Sequence, residues 1–158
     1  MDGDVMQAER VIAAPPEAVF DLVADAARHP DIDGSGSVRQ AKPGAPGRLA
    51  LGSTFGMKMK MGIGYSMTST VIEFEENRRI AWQSRPPGFM GKLGGGRIWR
   101  YELEPVDGGT RVTESWDISE DHHRSFLRRG KVGETTKKNM EATLARIAEL
   151  TEKPQPDA

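Results

Sequence analysis

Two helical segments bracket this chain, and nearly everything between them alternates between apolar and polar residues. Near the start, Arg10-Val11-Ile12-Ala13-Ala14 runs into Pro15-Pro16 and on into Glu17-Ala18-Val19-Phe20-Asp21-Leu22-Val23. A strand expected over residues 5–14 must end at the prolines, which cannot donate to a sheet ladder. Proline fits the first turn of a helix, and Glu17 suits its positive end. Ala18, Val19, Leu22 and Val23 then recur at helical spacing. A second short helix is expected over residues 26–32, limited by His29-Pro30. At the other end Met140, Leu144, Ile147 and Thr151 form one stripe, widened by Thr143 and Leu150. That pattern predicts a helix from residue 132 or 133 to 152, stopped before Pro154, with 154–158 as a loose tail.

The intervening residues read as strands and turns. Two possible strands, near 37–41 and 48–54, sit among dense Gly, Ser and Pro. Met57-Lys58-Met59-Lys60-Met61 puts three methionines on one face and two lysines on the other. Residues 65–74 and 79–85 flank the polar turn Glu75-Glu76-Asn77-Arg78, and 98–104 and 111–118 flank Asp107-Gly108, a strong hairpin signal. Between the hairpins, residues 85–96 combine chain breakers with Phe89, Met90 and Leu93, which suggests a mobile gating loop.

Hairpin registers follow from the turns. A turn at Asp107-Gly108 sets Leu103 opposite Val112, Tyr101 opposite Glu114 and Trp99 opposite Trp116, with every large apolar residue on one face. A three-residue turn around Asn77 sets Phe74 opposite Ile80, Ile72 opposite Trp82 and Thr70 opposite Ser84. All three tryptophans then face inward, where the plain alternative to a binding wall is ordinary core. Glu114 shares that inward parity, and a carboxyl is costly to bury unless paired or protonated. It is therefore either a ligand anchor or proton donor with a raised pKa, or a structural acid tied to a backbone amide or an arginine. The methionines make either an adaptable pocket wall or a plain core.

Composition narrows the partners. A length of 158 residues, 37% hydrophobic, fits one domain able to bury roughly 70% of its unfolded surface. A net charge of −1 carries no electrostatic footprint for nucleic acid. The absence of cysteine excludes disulfides and thiolate chemistry. No apolar run approaches the ~20 residues that span a bilayer, and the first residues lack a secretory pattern, so a cytoplasmic protein without integral membrane contact is expected. His29, His122 and His123 do not form a metal-ligand spacing, and Gly94-Gly95-Gly96 lacks a following helix, so no metal or other cofactor is expected. Nothing in the chain signals its oligomeric state.

The order of these elements resembles the START-like, or SRPBCC, superfamily, and most closely its polyketide cyclase/dehydrase branch. The resemblance rests on residues 12–23 with His29-Pro30, on Trp99-Arg100-Tyr101-Glu102-Leu103-Glu104-Pro105, on residues 109–117, and on the helix bearing Met140, Leu144 and Ile147. Ile32 departs from the pattern, where many relatives carry an aromatic residue. The resemblance implies an α+β helix-grip fold: a curved antiparallel sheet of six or seven strands around a long C-terminal helix, in a single domain over residues 1–153. It also implies an apolar cavity between sheet and helix, with the 85–96 loop at its mouth.

Two functions fit that container. One is a carrier or sensor of a hydrophobic small molecule such as a lipid, polyketide or aromatic metabolite. Its wall would be Met57, Met59, Met61, Ile72, Trp82, Phe89, Met90, Trp99, Tyr101, Glu114, Trp116, Met140, Leu144 and Ile147. The other is a cyclase-, dehydrase- or hydrolase-type enzyme using Tyr101 and Glu114 in acid–base chemistry, with His29 if the second helix brings it near. The thin inventory of titratable groups on the inner face favours binding.

Overall fold

A computed structural model describes residues 3–36, 38–41, 47–61 and 63–152; the expected tail lies outside the described residues. Seven strands form one antiparallel sheet in the order β1-β7-β6-β5-β4-β3-β2. They are β1 (Val5–Ile12), β2 (Val38–Ala41), β3 (Thr54–Met61), β4 (Ile63–Glu75), β5 (Arg79–Arg85), β6 (Arg97–Val106) and β7 (Gly109–Asp117). The helices are α1 (Pro16–Val23), α2 (His29–Ile32), α3 (Arg124–Leu127) and α4 (Val132–Thr151). This is the α+β helix-grip arrangement.

Local chemistry sets the element ends. Pro15 is extended at φ −69° and Pro16 opens α1, which buries Val19, Phe20, Leu22 and Val23. The second expected helix divides: a 3-10 turn over Ala26–Arg28, capped by the Asp25 carboxylate on the Ala27 amide, leads into α2. The possible strand at residues 48–54 is not formed as such. Arg48 makes an isolated bridge to Asp25, and β3 begins only at Thr54. Along α4, Met140, Thr143, Leu144 and Ile147 of the expected stripe are buried, with Leu150 and Thr151 half-buried and Ala148 buried beside them. The helix packs across β1 and reaches β7, while α2 touches both α4 and β2.

The β6–β7 register is the one the Asp107-Gly108 turn predicts: Leu103 opposite Val112, Tyr101 opposite Glu114, Trp99 opposite Trp116. The β4–β5 register needs correction. Phe74 does pair with Ile80 across a turn where Asn77 adopts φ 60°, a conformation asparagine tolerates better than most residues. Beyond it a bulge between Val71 and Glu73 absorbs one extra residue, so Val71 meets Trp82 and Ser69 meets Ser84. Ile72 is the residue displaced, and it is 38% exposed rather than inward. Ser69, which takes the place of Thr70 opposite Ser84, and Ser84 are both buried and share a 2.8 Å hydrogen bond.

The connector after α2 is clamped to α4 at Gly34. Its amide donates to Thr143 Oγ1 at 2.8 Å, and a Cβ there would lie 2.5 Å from both the Asn139 carbonyl oxygen and the Thr143 amide nitrogen. Gly34→Ala should therefore lower stability by about 2 kcal/mol through forced separation of connector and helix, read as a lower thermal midpoint. An unchanged midpoint would place the connector away from α4.

Candidate functional site

Tyr101 and Glu114 face each other across β6 and β7 on the side of the sheet that α4 covers. The pairing brings the phenol to Glu114, and Tyr101 Oη donates to Glu114 Oε1 at 2.9 Å. Both side chains are buried, and Glu114 Oε2 has no hydrogen-bond partner among the described residues. Burial pushes the Glu114 pKa up to about 8, the Asp33 charge acts in the same direction, and the Tyr101 hydrogen bond opposes both. Glu114 is thus protonated at neutral pH. Burial and the adjacent Glu114 push the Tyr101 phenol well above its ordinary value, so it keeps its proton and remains the donor. With Oε1 accepting from Tyr101, the carboxyl proton sits on Oε2, a buried donor without an acceptor. Such an orphan costs about 1–3 kcal/mol, and any oxygen acceptor placed there recovers it.

Removing the phenol tests this account. Tyr101→Phe deletes the one contact that favours the ionised carboxyl, so the Glu114 titration midpoint should rise above that of the wild type. Carboxyl carbon NMR measures it, and a midpoint that falls would contradict the geometry.

His29 joins the same wall. Its ring stacks on Trp82 with centroids 4.8 Å apart, and Trp82 in turn lies 5.7 Å from the Tyr101 ring. Phe55 meets both His29 and Trp82 edge-on, at 5.3 and 5.6 Å. His29 Nε2 lies 2.8 Å from the Val23 carbonyl oxygen. Because a carbonyl can only accept, Nε2 carries the proton. Burial lowers the imidazole pKa against the smaller opposing pull of that hydrogen bond and of Asp25 and Asp33. Asp33, at the end of α2, thus acts electrostatically on His29, Tyr101 and Glu114 alike. Sequence reasoning missed Asp33 and Phe55. The only sign of Asp33 was its place just after the His29-Pro30 helix, which reads equally well as a turn.

Most of the other residues expected on the inner face are buried together. Met57, Trp82, Tyr101, Trp116, Met140, Leu144 and Ile147 belong to one buried cluster, with Met59 and Trp99 partly buried against it. Trp99 and Trp116 are 6.4 Å apart. Met61 lies on β3 with its side chain outside the described residues. Ile72 leaves the group through the bulge. Phe89 and Met90 also stand apart, 72% and 58% exposed on a 3-10 turn over Gly88–Lys92.

The loop expected at the mouth does border a cavity, of about 560 Å³, but on the opposite, convex face of the sheet. Ser69, Val71, Trp82 and Ser84 point inward, so their strand neighbours Thr68, Thr70, Gln83 and Arg85, which line this cavity, point outward. Asp121, beside this loop's end, is buried. It pairs with Arg97 at 3.1 Å and also accepts from the His123 amide at 2.8 Å. No helix among the described residues is long and apolar enough to cross a membrane.

Known proteins share this architecture. The crystal structure of protein CV1439 from Chromobacterium violaceum superposes with a TM-score of 0.72 at 18% identity, covering 98% of this chain and 99% of that one. The Aha1 dimer from Colwellia psychrerythraea gives 0.63 at 16% identity, over 96% of this chain and 98% of that one. DynU16, a protein of the dynemicin biosynthetic locus, gives 0.65 at 16% identity, over 97% of this chain and 49% of its own. At these identities the likeness is one of fold. In sequence, the uncharacterized protein Rv0088 of Mycobacterium tuberculosis is 37% identical over 147 residues, 87% of this chain. The chain spans 60% of the length of that relative. A family model for polyketide cyclase/dehydrase and lipid transport proteins matches residues 5–152, and the chain belongs to that family.

Proposed function

We propose that the chain binds a hydrophobic small molecule, a lipid, polyketide or aromatic metabolite, between the sheet and α4, as a carrier or sensor. The observation that carries this reading is the buried Glu114 Oε2, a polar atom without a partner among the described residues, set in otherwise apolar and aromatic surroundings. Apolar surface supplies affinity at roughly 25 cal/mol per Å² buried, and one oriented hydrogen bond supplies selectivity. The ligand it fits is neutral and apolar with one acceptor oxygen, such as a ketone, ester or hydroxyl. Met57, Met59 and Met140 give the wall side chains able to re-pack around such a guest.

A second reading has its own support. A carboxyl titrating at about 8, bonded to a phenol and near His29 and Asp33, is suited to general acid catalysis on a bound carbonyl compound. A cyclase- or dehydrase-like reaction of this kind needs no cofactor. Native mass spectrometry of the protein from its own organism, followed by extraction, separates the two. A single apolar compound recovered unchanged after incubation supports carriage. A compound converted by the wild type but not by Glu114→Gln supports catalysis. Protein that carries nothing and takes up no apolar probe contradicts both.

A further inference from the structure

Several arginines of the convex face are matched by carboxylates. Arg100 pairs with Glu73 and Asp117, Arg79 with Glu73 and Glu102, and Arg111 with Glu9 and Glu104. The cavity at the end of β5 breaks that pattern. Arg85 contributes only a 3.4 Å hydrogen bond to the Gly91 carbonyl, and Lys92 has no carboxylate partner among the described residues. Both line the cavity, together with Thr68, Thr70 and His122. A neighbouring carboxylate, Glu120, is engaged by the Gln83 side-chain nitrogen at 2.9 Å.

The cradle is held in place by close packing. A Cβ on Gly91 would lie 2.6 Å from the Pro86 carbonyl oxygen, so the turn folds tightly back on its own start. Gly95 adopts φ 73°, with the Pro86 ring 2.9 Å from its missing Cβ, and the Gly96 amide donates to the Ser84 carbonyl at 2.9 Å. These contacts hold the backbone of the loop that carries Arg85 and Lys92 to the cavity. The preorganisation spares a ligand the cost of ordering the loop.

We infer that this convex-face cavity, bounded by Arg85, Lys92, Thr68, Thr70 and His122, is a binding site for a phosphate monoester. Two unpaired cations match a group carrying about −1.5 to −2 charges at neutral pH, and the hydroxyls supply further donors to its oxygens. The volume of about 560 Å³ exceeds one phosphate, leaving room for the ester's organic part against Pro86 and Pro87. The phosphate can belong to a free metabolite or to a lipid headgroup. Exposed Phe89, Met90 and Leu93 on the same loop are placed to enter a lipid surface in the second case.

Two arms test it on the full chain. In the first, calorimetric titration with phenyl phosphate should show binding that weakens with salt and falls by about tenfold or more in both Lys92→Gln and Arg85→Gln. In the second, vesicles of phosphatidylcholine containing phosphatidic acid should retain the protein, with loss in Lys92→Gln and in Phe89→Ser. Binding in the first arm alone identifies a free ester, and binding in the second alone a headgroup. Lys92 is exposed, so its variant keeps the fold, as a thermal melt verifies. Failure of both probes to bind the wild type, or binding undiminished in the Arg85→Gln/Lys92→Gln double variant, overturns the site.

Discussion

Glu114→Gln is expected to remove a pH dependence of stability worth about 5 kcal/mol, visible as a difference between variant and wild-type unfolding curves. The sign follows from the raised pKa. Unfolded, Glu114 titrates near its ordinary 4.5; folded, it titrates at about 8. Between those values the folded state holds a proton that the unfolded state has released, so wild-type stability falls as the pH rises. The contribution is whole below about pH 4.5, shrinks through the interval, and is lost once the pH passes about 8. Glutamine keeps the Tyr101 contact through its carbonyl but cannot ionise. It brings a second unpaired N–H into the wall, so the variant starts somewhat less stable in acid and crosses above the wild type in base. His29 also titrates, but its lowered pKa removes stability on acidification, and it is common to both proteins. Chemical denaturation of both from pH 4 to pH 9 gives the difference directly. Parallel curves across that range would mean that Glu114 is ionised in the fold.

Trp82→Ala carries the second large expectation. The indole is buried and touches His29, Phe55 and Tyr101 through ring contacts between 4.8 and 5.7 Å. Truncating it removes buried apolar surface and leaves a void that the stiff strands can only partly close, at about 3–5 kcal/mol. For a domain of this size each kcal/mol shifts the thermal midpoint by roughly 2–4 °C. The void would open beside the Tyr101–Glu114 hydrogen bond, where the proposed ligand needs space. Added indole should therefore raise the midpoint of the variant by more than that of the wild type. A loss below about 1 kcal/mol would show that the ring is not packed as described.

What the chain reveals of itself depends on how local the cause is. The β6–β7 pairing was legible because Asp107-Gly108 fixes the turn and Leu103, Tyr101 and Trp99 share one parity with Val112, Glu114 and Trp116. Those are short-range facts. The β4–β5 pairing failed halfway because a bulge at Ile72 shifts every later partner by one, and alternation alone carries no mark of an inserted residue. The α4 stripe was legible through its spacing, whereas the close approach of Gly34 to Asn139 and Thr143 joins residues about a hundred positions apart. Glu114 stood out as a carboxyl of the wrong parity. Asp33 did not, since its influence on Glu114 exists only once α2 is folded against the sheet. Phe89 and Met90 were assigned to the inner mouth because a breaker-rich apolar loop suggests a gate. Which face it folds over depends on the tight return at Gly91, Gly95 and Gly96.

The central proposal is that a protonated Glu114, bonded to Tyr101, is the polar anchor for a ligand held between the sheet and α4. Carboxyl carbon NMR of the wild type, with Glu114→Gln to assign the signal, tests it most directly. The account predicts a Glu114 midpoint near 8, displaced further when an apolar ketone is added. A midpoint in the ordinary carboxylate range, unmoved by the ketone, would contradict it.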